Sequence, residues 1–151
     1  MTSSEGAVPS AALRNAGLRI TASRLAVLSA VGEGDHLTAD QVASAARGRV
    51  GTISTQAVYD VLGALTRAGL TRRIEPAGSP ARYETRVGDN HHHVVCRVCG
   101  AVSDVDCLVG EPPCVLPNES SGYVIDEAEV TFWGLCPTCQ TTSNPHQKET
   151  G

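Results

Sequence analysis

The sequence contains two pairs of cysteines with the spacing of metal-binding knuckles. Cys96 and Cys99 form the first CxxC pair, and Cys136 and Cys139 form the second. Together they supply four thiolates, the complete ligand set of a tetrahedral zinc ion. Because this set leaves no open coordination position, we expect a structural zinc rather than a catalytic one. A redox dithiol, an iron–sulfur cluster and coincidence are the alternatives.

Three consecutive histidines stand upstream of the first cysteine pair, and a four-thiolate zinc site does not need them. In a strand, His91 and His93 point to one face and His92 to the other. With Asp104 on a following strand, the first two would form part of a nitrogen–oxygen site. Such a site suits Fe(II), Mn(II), Ni(II), Co(II) or Zn(II). The alternative is a solvated turn.

The composition favours a protein without a membrane segment. The 151 residues contain no apolar stretch long enough to span a bilayer. The first residues lack the basic and apolar regions of a signal peptide. We therefore expect a cytoplasmic protein whose thiols stay reduced, which favours metal or redox chemistry over disulfides.

Charge is distributed unevenly along the chain. Residues 1–87 hold ten arginines against seven acids, whereas residues 88–151 hold two basic residues against nine acids. A basic N-terminal half could face phosphates, and an acidic C-terminal half could hold cations. Chance variation in surface charge is the alternative.

Four helices and a hairpin are predicted in residues 1–86. The first helix covers residues 11–16, and three more begin after residues that can cap a helix: Thr21, Thr38 and Ser54. Gln41 completes a capping box with Thr38, and Gly69 ends the fourth helix. Two β-prone segments follow, residues 71–75 and 81–85. This order predicts a winged helix-turn-helix domain.

In a winged helix-turn-helix domain the last helix enters the major groove, and the wing lies along the DNA backbone. The fourth helix leaves five residues off its apolar stripe: Ser54, Thr55, Gln56, Tyr59 and Arg67. Arginines on the wing would contact phosphates, namely Arg72, Arg73 and Arg82. Gln56 and Tyr59 could contact base edges. The alternative is a winged helix that binds protein and not DNA.

The rest of the chain is predicted to be rich in strands. Strands are expected over residues 93–96, 101–105 and 123–133, with a loop or broken helix over residues 110–122. Zinc would then link the end of the third strand to the start of the first. The expected fold class is α+β, with a winged helix-turn-helix domain (1–86), a small α/β metal-binding domain (87–140) and a disordered tail (141–151).

The order of winged helix, HxHxxCxxC and second CxxC resembles the ferric uptake regulator superfamily. The resemblance covers roughly residues 10–140, and the HHHVVCRVCG and AVYDVL runs are its most specific parts. The GLCPTC and DVDC segments are similar to the actinobacterial, catalase-linked FurA type. The resemblance implies a homodimeric, metal-dependent transcription factor, not an enzyme, with residues 87–140 as its dimerisation domain.

The resemblance also implies roles for individual residues. The four cysteines match structural zinc ligands. The regulatory Fe(2+) or Mn(2+) site would take its ligands from both halves: His36, Glu84, His91, His93 and Asp104. A second family metal site is matched only by His92 and Glu111. Arg19 matches a residue that approaches the minor groove, and Tyr59 matches the tyrosine of the recognition helix.

Three departures from the family pattern bear on function. Asp60 stands where many relatives carry a basic residue, so the target sequence cannot be copied from them. Glu84 replaces the aspartate usual in peroxide sensors. Cys107 and Cys114 favour a redox input, and ordinary small-residue packing is the alternative.

We therefore expect a repressor of catalase-peroxidase or iron homeostasis genes that binds a palindromic operator in double-stranded DNA and responds to peroxide or iron. The alternatives are a sensor of another divalent metal, a thiol-redox zinc-ribbon oxidoreductase and an adaptor that does not bind DNA.

Overall fold

The computed structural model describes residues 7–87, 91–106 and 116–142, and the chain divides into two compact units, Met1–Val87 and Gly88–Gly151. Helices dominate the described part of the first unit. Its elements are α1 (Ala7–Asn15), α2 (Ala22–Glu33), β1 (Leu37–Thr38), α3 (Ala39–Val50), α4 (Thr55–Arg67), β2 (Arg72–Ile74) and β3 (Arg82–Glu84).

Short polar side chains begin the helices as the sequence predicts. Thr21 accepts a hydrogen bond from the Arg24 amide at the start of α2. Thr38 and Gln41 form the reciprocal capping box of α3. These bonds satisfy amides that have no partner within the helix, which fixes where each helix begins. The predicted first helix was too short at its N-terminus, because α1 begins at Ala7.

Gly69 ends α4, but it lies one residue beyond the C-cap residue. The C-cap residue is Ala68, and Gly69 follows it with a left-handed φ of 77°. The Leu70 amide then donates to the Leu65 carbonyl at 2.9 Å, and the Gly69 amide donates to the Thr66 carbonyl at 3.1 Å. This Schellman pattern needs a positive φ that glycine adopts without strain.

The core of the first unit lies where the apolar stripes of α2, α3 and α4 meet. Its largest fully buried side chains are Leu13, Val27, Val31, Val42, Val58, Leu62 and Leu65. Each buried Val or Leu side chain contributes about 1.5–3 kcal/mol relative to an exposed one. This packing holds α4 in place while its opposite face stays exposed.

A small antiparallel sheet completes the first unit, with strand order β1-β3-β2. The hairpin of β2 and β3 was predicted, although both strands are shorter than the predicted segments. The sequence analysis missed β1, in which Leu37 pairs with Tyr83 and Thr38 with Arg82. A strand of two residues has too little periodicity to be recognised in a sequence.

The second unit contains a three-stranded sheet with strand order β5-β4-β6 among its described residues. Its elements are β4 (His91–Cys96), β5 (Val102–Asp106), β6 (Thr131–Gly134) and α5 (Pro137–Thr142). β4 pairs antiparallel with β5 and parallel with β6.

Three predictions for this unit were wrong. The third strand does not cover residues 123–133 but begins at Thr131, because its partner residues on β4 begin only at His93. The expected link from the end of the third strand to the start of the first is also wrong: since β4 and β6 are parallel and Cys96 pairs with Gly134, the two CxxC pairs lie at the C-terminal ends of both strands. The predicted tail overlaps α5, which extends to Thr142. Residues 110–115 and 143–151 lie outside the described part of the chain.

Candidate metal centre and nucleic-acid interface

Four thiols come together in the second unit. Cys96 ends β4, Cys99 lies in the following turn, Cys136 precedes α5 and Cys139 lies within it. The four sulfur atoms lie within 4.8 Å of one another, and those of Cys99 and Cys136 are 3.7 Å apart. Four sulfurs at about 2.3 Å from a tetrahedral zinc ion are about 3.8 Å apart. The cluster therefore has the dimensions of a zinc site.

The thiols of this cluster do not ionise equally. Backbone amides of Cys136 and Cys99 donate toward the Cys96 sulfur and lower the pKa of its thiol to about 6. The Cys136 side chain and burial raise the pKa of Cys139 to about 12. Adjacent thiolates repel one another, so all four ionise together only around a cation.

His36 and Glu84 form a buried pair in the first unit. His36 precedes β1 and Glu84 ends β3, two neighbouring strands, and Glu84 Oε2 lies 3.0 Å from His36 Nε2. Both side chains are buried. Burying a carboxylate is costly unless a partner or a cation compensates its charge. The pair therefore presents an imidazole and a carboxylate in a form that suits a metal.

Two neighbours that the sequence analysis did not assign to the site hold His36 in place. Arg82 donates from Nη1 to the His36 carbonyl oxygen at 3.0 Å, and Asp35 Oδ1 lies 2.6 Å from His36 Nδ1. His36 itself has a φ of 55°, which is uncommon outside glycine. Asp35 was detectable as the acid next to the histidine, but Arg82 was expected on the wing surface and instead donates inward.

A second group of nitrogen and oxygen atoms lies on β4 and β5 of the second unit. His93 pairs with Asp104 across the strands, and Asp104 Oδ1 lies 3.3 Å from His93 Nε2 and 3.5 Å from His91 Nε2. The two imidazoles are 4.9 Å apart between ring centroids. They share one face of β4, as the strand periodicity predicts, whereas His92 lies opposite Val105 on β5. Glu111, Cys107 and Cys114 lie outside the described residues.

The face of α4 opposite the core carries the residues that were expected to contact DNA. Ser54, Thr55 and Gln56 are exposed in its first turn, and Tyr59 is 48% exposed. Arg19, before α2, is also exposed. An exposed N-terminal turn on the last helix before a wing is the arrangement that enters a major groove.

Two hydroxyl oxygens of this turn already accept hydrogen bonds within the protein. Ser54 Oγ accepts from the Ala57 amide as the N-cap of α4. Thr55 Oγ1 accepts from Arg47 Nη2 at 3.1 Å, while Arg47 Nε donates to the Ile53 carbonyl at 3.1 Å. Arg47 thus holds the loop that leads into α4. The two hydroxyl groups can still donate, which suits phosphate oxygens.

The fold and the sites together define a transcription regulator with metal-binding clusters. It has a winged helix-turn-helix unit, a sheet unit with four clustered thiols, and histidine–carboxylate groups in both. The chain belongs to the ferric uptake regulator family, whose model matches residues 15–109.

Curated relatives agree over most of the chain. It is 55% identical over 136 residues to the transcriptional regulator FurA of Mycobacterium tuberculosis, covering 89% of this chain and 92% of that protein. It is 59% identical over 128 residues to ferric uptake regulation protein 1 of Mycolicibacterium fortuitum, covering 85% and 80%. The predicted FurA-type resemblance is confirmed. Because these relatives are regulators, the expectation of a protein that is not an enzyme is also confirmed.

Solved structures show the same fold. The ferric uptake regulator of Helicobacter pylori superposes with a TM-score of 0.67 at 19% identity, covering 93% of this chain and 95% of that chain. The peroxide stress regulator of Campylobacter jejuni gives a TM-score of 0.64 at 21% identity, covering 88% and 97%. Within the described residues, no helix is long and apolar enough to cross a membrane.

Proposed function

We propose that this chain is a metal-responsive repressor that binds a palindromic operator as a homodimer. Zinc at the four cysteines stabilises the second unit. A regulatory divalent ion, Fe(II) or Mn(II), uses the nitrogen and oxygen ligands His36, Glu84, His91, His93 and Asp104. The proposed location is the cytoplasm, where the thiols stay reduced.

The observation that carries this proposal is the assembly of ligands in each unit. A buried carboxylate lies 3.0 Å from a buried imidazole in the first unit. In the second unit, Asp104 lies within 3.5 Å of His91 and His93. Imidazole with carboxylate is a donor set that Fe(II) and Mn(II) accept, whereas the thiol cluster suits zinc.

Because its proposed ligands come from both units, the ion can control which arrangement of the units is populated. An ion that binds more tightly to one arrangement of the units increases the population of that arrangement. In a dimer, the arrangement sets the spacing of two recognition helices, which must match successive half-sites. We propose that the metal-bound arrangement is the one that fits the operator.

The second unit offers an edge for a second copy of the chain. Among the described residues, β6 pairs with β4 along one side and is exposed, with Phe132 50% and Trp133 36% exposed. Tyr123 and Val124 are also exposed. Exposed apolar side chains beside a strand edge favour association between chains. This supports the proposed homodimer.

The proposed signal is peroxide or iron, and the proposed targets are catalase-peroxidase or iron homeostasis genes. Similarity to ferric uptake regulation protein 1 of Mycolicibacterium fortuitum supports iron, whereas the peroxide signal and the catalase-peroxidase targets rest on the FurA-type resemblance of the sequence. In an iron-bound site, peroxide would oxidise a histidine ligand and release the DNA, so His36 and His91 are the residues to examine. Glu84 in place of the aspartate of peroxide sensors favours iron as the signal.

The direct test is a gel shift on the DNA immediately upstream of the coding region. The dimer loaded with zinc should bind that DNA only when Fe(II) or Mn(II) is added under anaerobic, reducing conditions. No shift with any divalent metal would reject the repressor assignment. Peroxide added to the Fe(II) complex, but not to the Mn(II) complex, should release the DNA if peroxide is the signal. Mass spectrometry should then find a gain of about 16 Da, one oxygen atom, on His36 or His91.

A further inference from the structure

A side-chain hydrogen bond fixes the orientation of one amide on the exposed face of α4. Gln56 Nε2 donates to Asp60 Oδ1 at 2.9 Å, across one turn of the helix. Both side chains are exposed. Gln56 is the second residue of α4 after its N-cap, Ser54, so it lies in the turn that approaches base edges in a helix-turn-helix complex.

The chemistry of the pair leaves no choice of amide orientation. A carboxylate accepts hydrogen bonds and does not donate them, so Asp60 requires the nitrogen of Gln56 on its side. The Gln56 Oε1 acceptor is then directed away from Asp60. Of the two hydrogens on Nε2, one is used by Asp60 and one stays available. Gln56 therefore presents one acceptor and one donor side by side.

In the major groove, one acceptor beside one donor complements adenine. Adenine presents an N7 acceptor and an N6 donor, and glutamine binds both at once. Guanine presents N7 and O6, which are both acceptors, and would place O6 against Gln56 Oε1. A free glutamine can rotate its amide to limit that repulsion, whereas a glutamine held by Asp60 loses its hydrogen bond when it rotates.

We propose that Gln56 specifies an A·T pair in each half-site, and that Asp60 acts as a positioning residue that makes Gln56 reject guanine. This inference rests on the DNA-binding function proposed above. Asp60 also places a negative charge near the phosphates, which weakens binding to all sequences. It therefore increases specificity at the expense of affinity.

The test begins with selection of a consensus operator from a random duplex library, using the full-length dimer loaded with zinc and Mn(II) under reducing conditions. Fluorescence anisotropy then gives Kd for the consensus and for duplexes in which each A·T pair is replaced by G·C. Gln56→Ala and Asp60→Asn are compared with wild type. Asp40→Asn is the matched control, because Asp40 is an exposed acid on α3 of the same unit.

Wild type should prefer A·T over G·C by roughly 10- to 100-fold at one position of each half-site, the range of a bidentate contact. Gln56→Ala should lose this preference at that position alone. Asp60→Asn should reduce the same preference several-fold while binding the G·C duplex more tightly than wild type does. Asp40→Asn should leave the ratio between the two duplexes unchanged.

Other outcomes overturn the inference. If Gln56→Ala weakens all duplexes equally, Gln56 does not specify a base. If Asp60→Asn keeps the full A·T preference, the pair only stabilises α4, and if it instead loses a preference for cytosine, Asp60 contacts the base itself. If wild type binds DNA without any A·T preference, this inference fails and the proposed function stands. If wild type binds no DNA, both fail.

Discussion

At the scale of single residues, His36, a proposed metal ligand, is held in place by its neighbours. Its backbone adopts a φ of 55°, its carbonyl accepts from Arg82, and its ring lies between Asp35 and Glu84. A residue that is constrained at backbone and ring loses little entropy when it binds an ion. At the proposed site, Asp35 and Arg82 would thus add to metal affinity without contacting the ion.

Glu84→Gln tests this site. The substitution keeps the size of the side chain and removes its charge, so affinity for Mn(II) should fall at least about tenfold while zinc content is unchanged. Titration of the zinc-loaded protein, followed by electron paramagnetic resonance of free Mn(II), measures the effect. Glu75→Gln is the control, since Glu75 is an exposed wing carboxylate paired with Arg73 at 3.1 Å. Equal affinity in the two variants would remove Glu84 from the site.

At the scale of elements, the positions of the candidate site residues depend on where helices and strands begin and end. Ser54 sets the start of α4 and thereby the place of Gln56 in its first turn. The parallel pairing of β4 with β6 brings the two cysteine pairs to the same end of the sheet. The first effect comes from a local signal in the sequence, whereas the second comes from pairing between two strands that are distant in sequence.

Removal of the α4 cap should destabilise the protein. Ser54→Ala removes the acceptor of the Ala57 amide, which should lower the free energy of unfolding by about 1 kcal/mol. Urea denaturation of the zinc-loaded protein measures this change. Ser44→Ala is a matched control at an exposed position inside α3, where alanine is the better helix former and stability should not fall. Equal effects of both substitutions would mean that the cap contributes nothing.

Loss of one zinc ligand should affect the second unit first. Cys136→Ser should abolish stoichiometric zinc and weaken the protection of β4 and β6 amides in hydrogen exchange, because the cluster links the segments after both strands. Amides of α2 and α4 should keep their protection. Cys107→Ser, which leaves Cys96, Cys99, Cys136 and Cys139 intact, should retain its zinc. Full zinc content in Cys136→Ser would refute the proposed ligand set.

At the scale of the whole molecule, charge is divided between the two units. The net charge is +3 over residues 1–87 and −7 over residues 88–151. The first half therefore suits a polyanion despite an overall charge of −4. The exposed large apolar residues around β6 belong to the second unit, which suits association with another copy of the chain.

Phe132→Glu should convert the proposed dimer into a monomer. A charge on the exposed face of β6 opposes apolar contact between two copies, and the side chain is 50% exposed, so the fold of the single chain should survive. Sedimentation velocity gives the oligomeric state, and circular dichroism checks the fold. Val8→Glu, at an equally apolar and 69% exposed position of α1, should remain dimeric. A dimeric Phe132→Glu protein would place the interface elsewhere.

The features that were predicted correctly depend on residues that are close together in the chain. The N-caps predicted at Thr21, Thr38 and Ser54 were correct, because each side chain accepts from an amide three residues further along the chain. The shared face of His91 and His93 follows from strand geometry alone. The length of β6 and the existence of β1 were not predictable, because each depends on a partner strand that is distant in sequence.

The sequence by itself determined the ligand types, their spacing, the starts of three helices and the family. Only the tertiary structure decided that Arg82 turns inward to His36, that Asp35 and Glu84 flank its ring, and that the cysteine pairs follow parallel strands. Spacing and capping are set by neighbours along the chain, whereas these contacts join residues that packing brings together. The sequence supplies the four thiols of the two cysteine pairs, and the pairing of β4 with β6 brings them together.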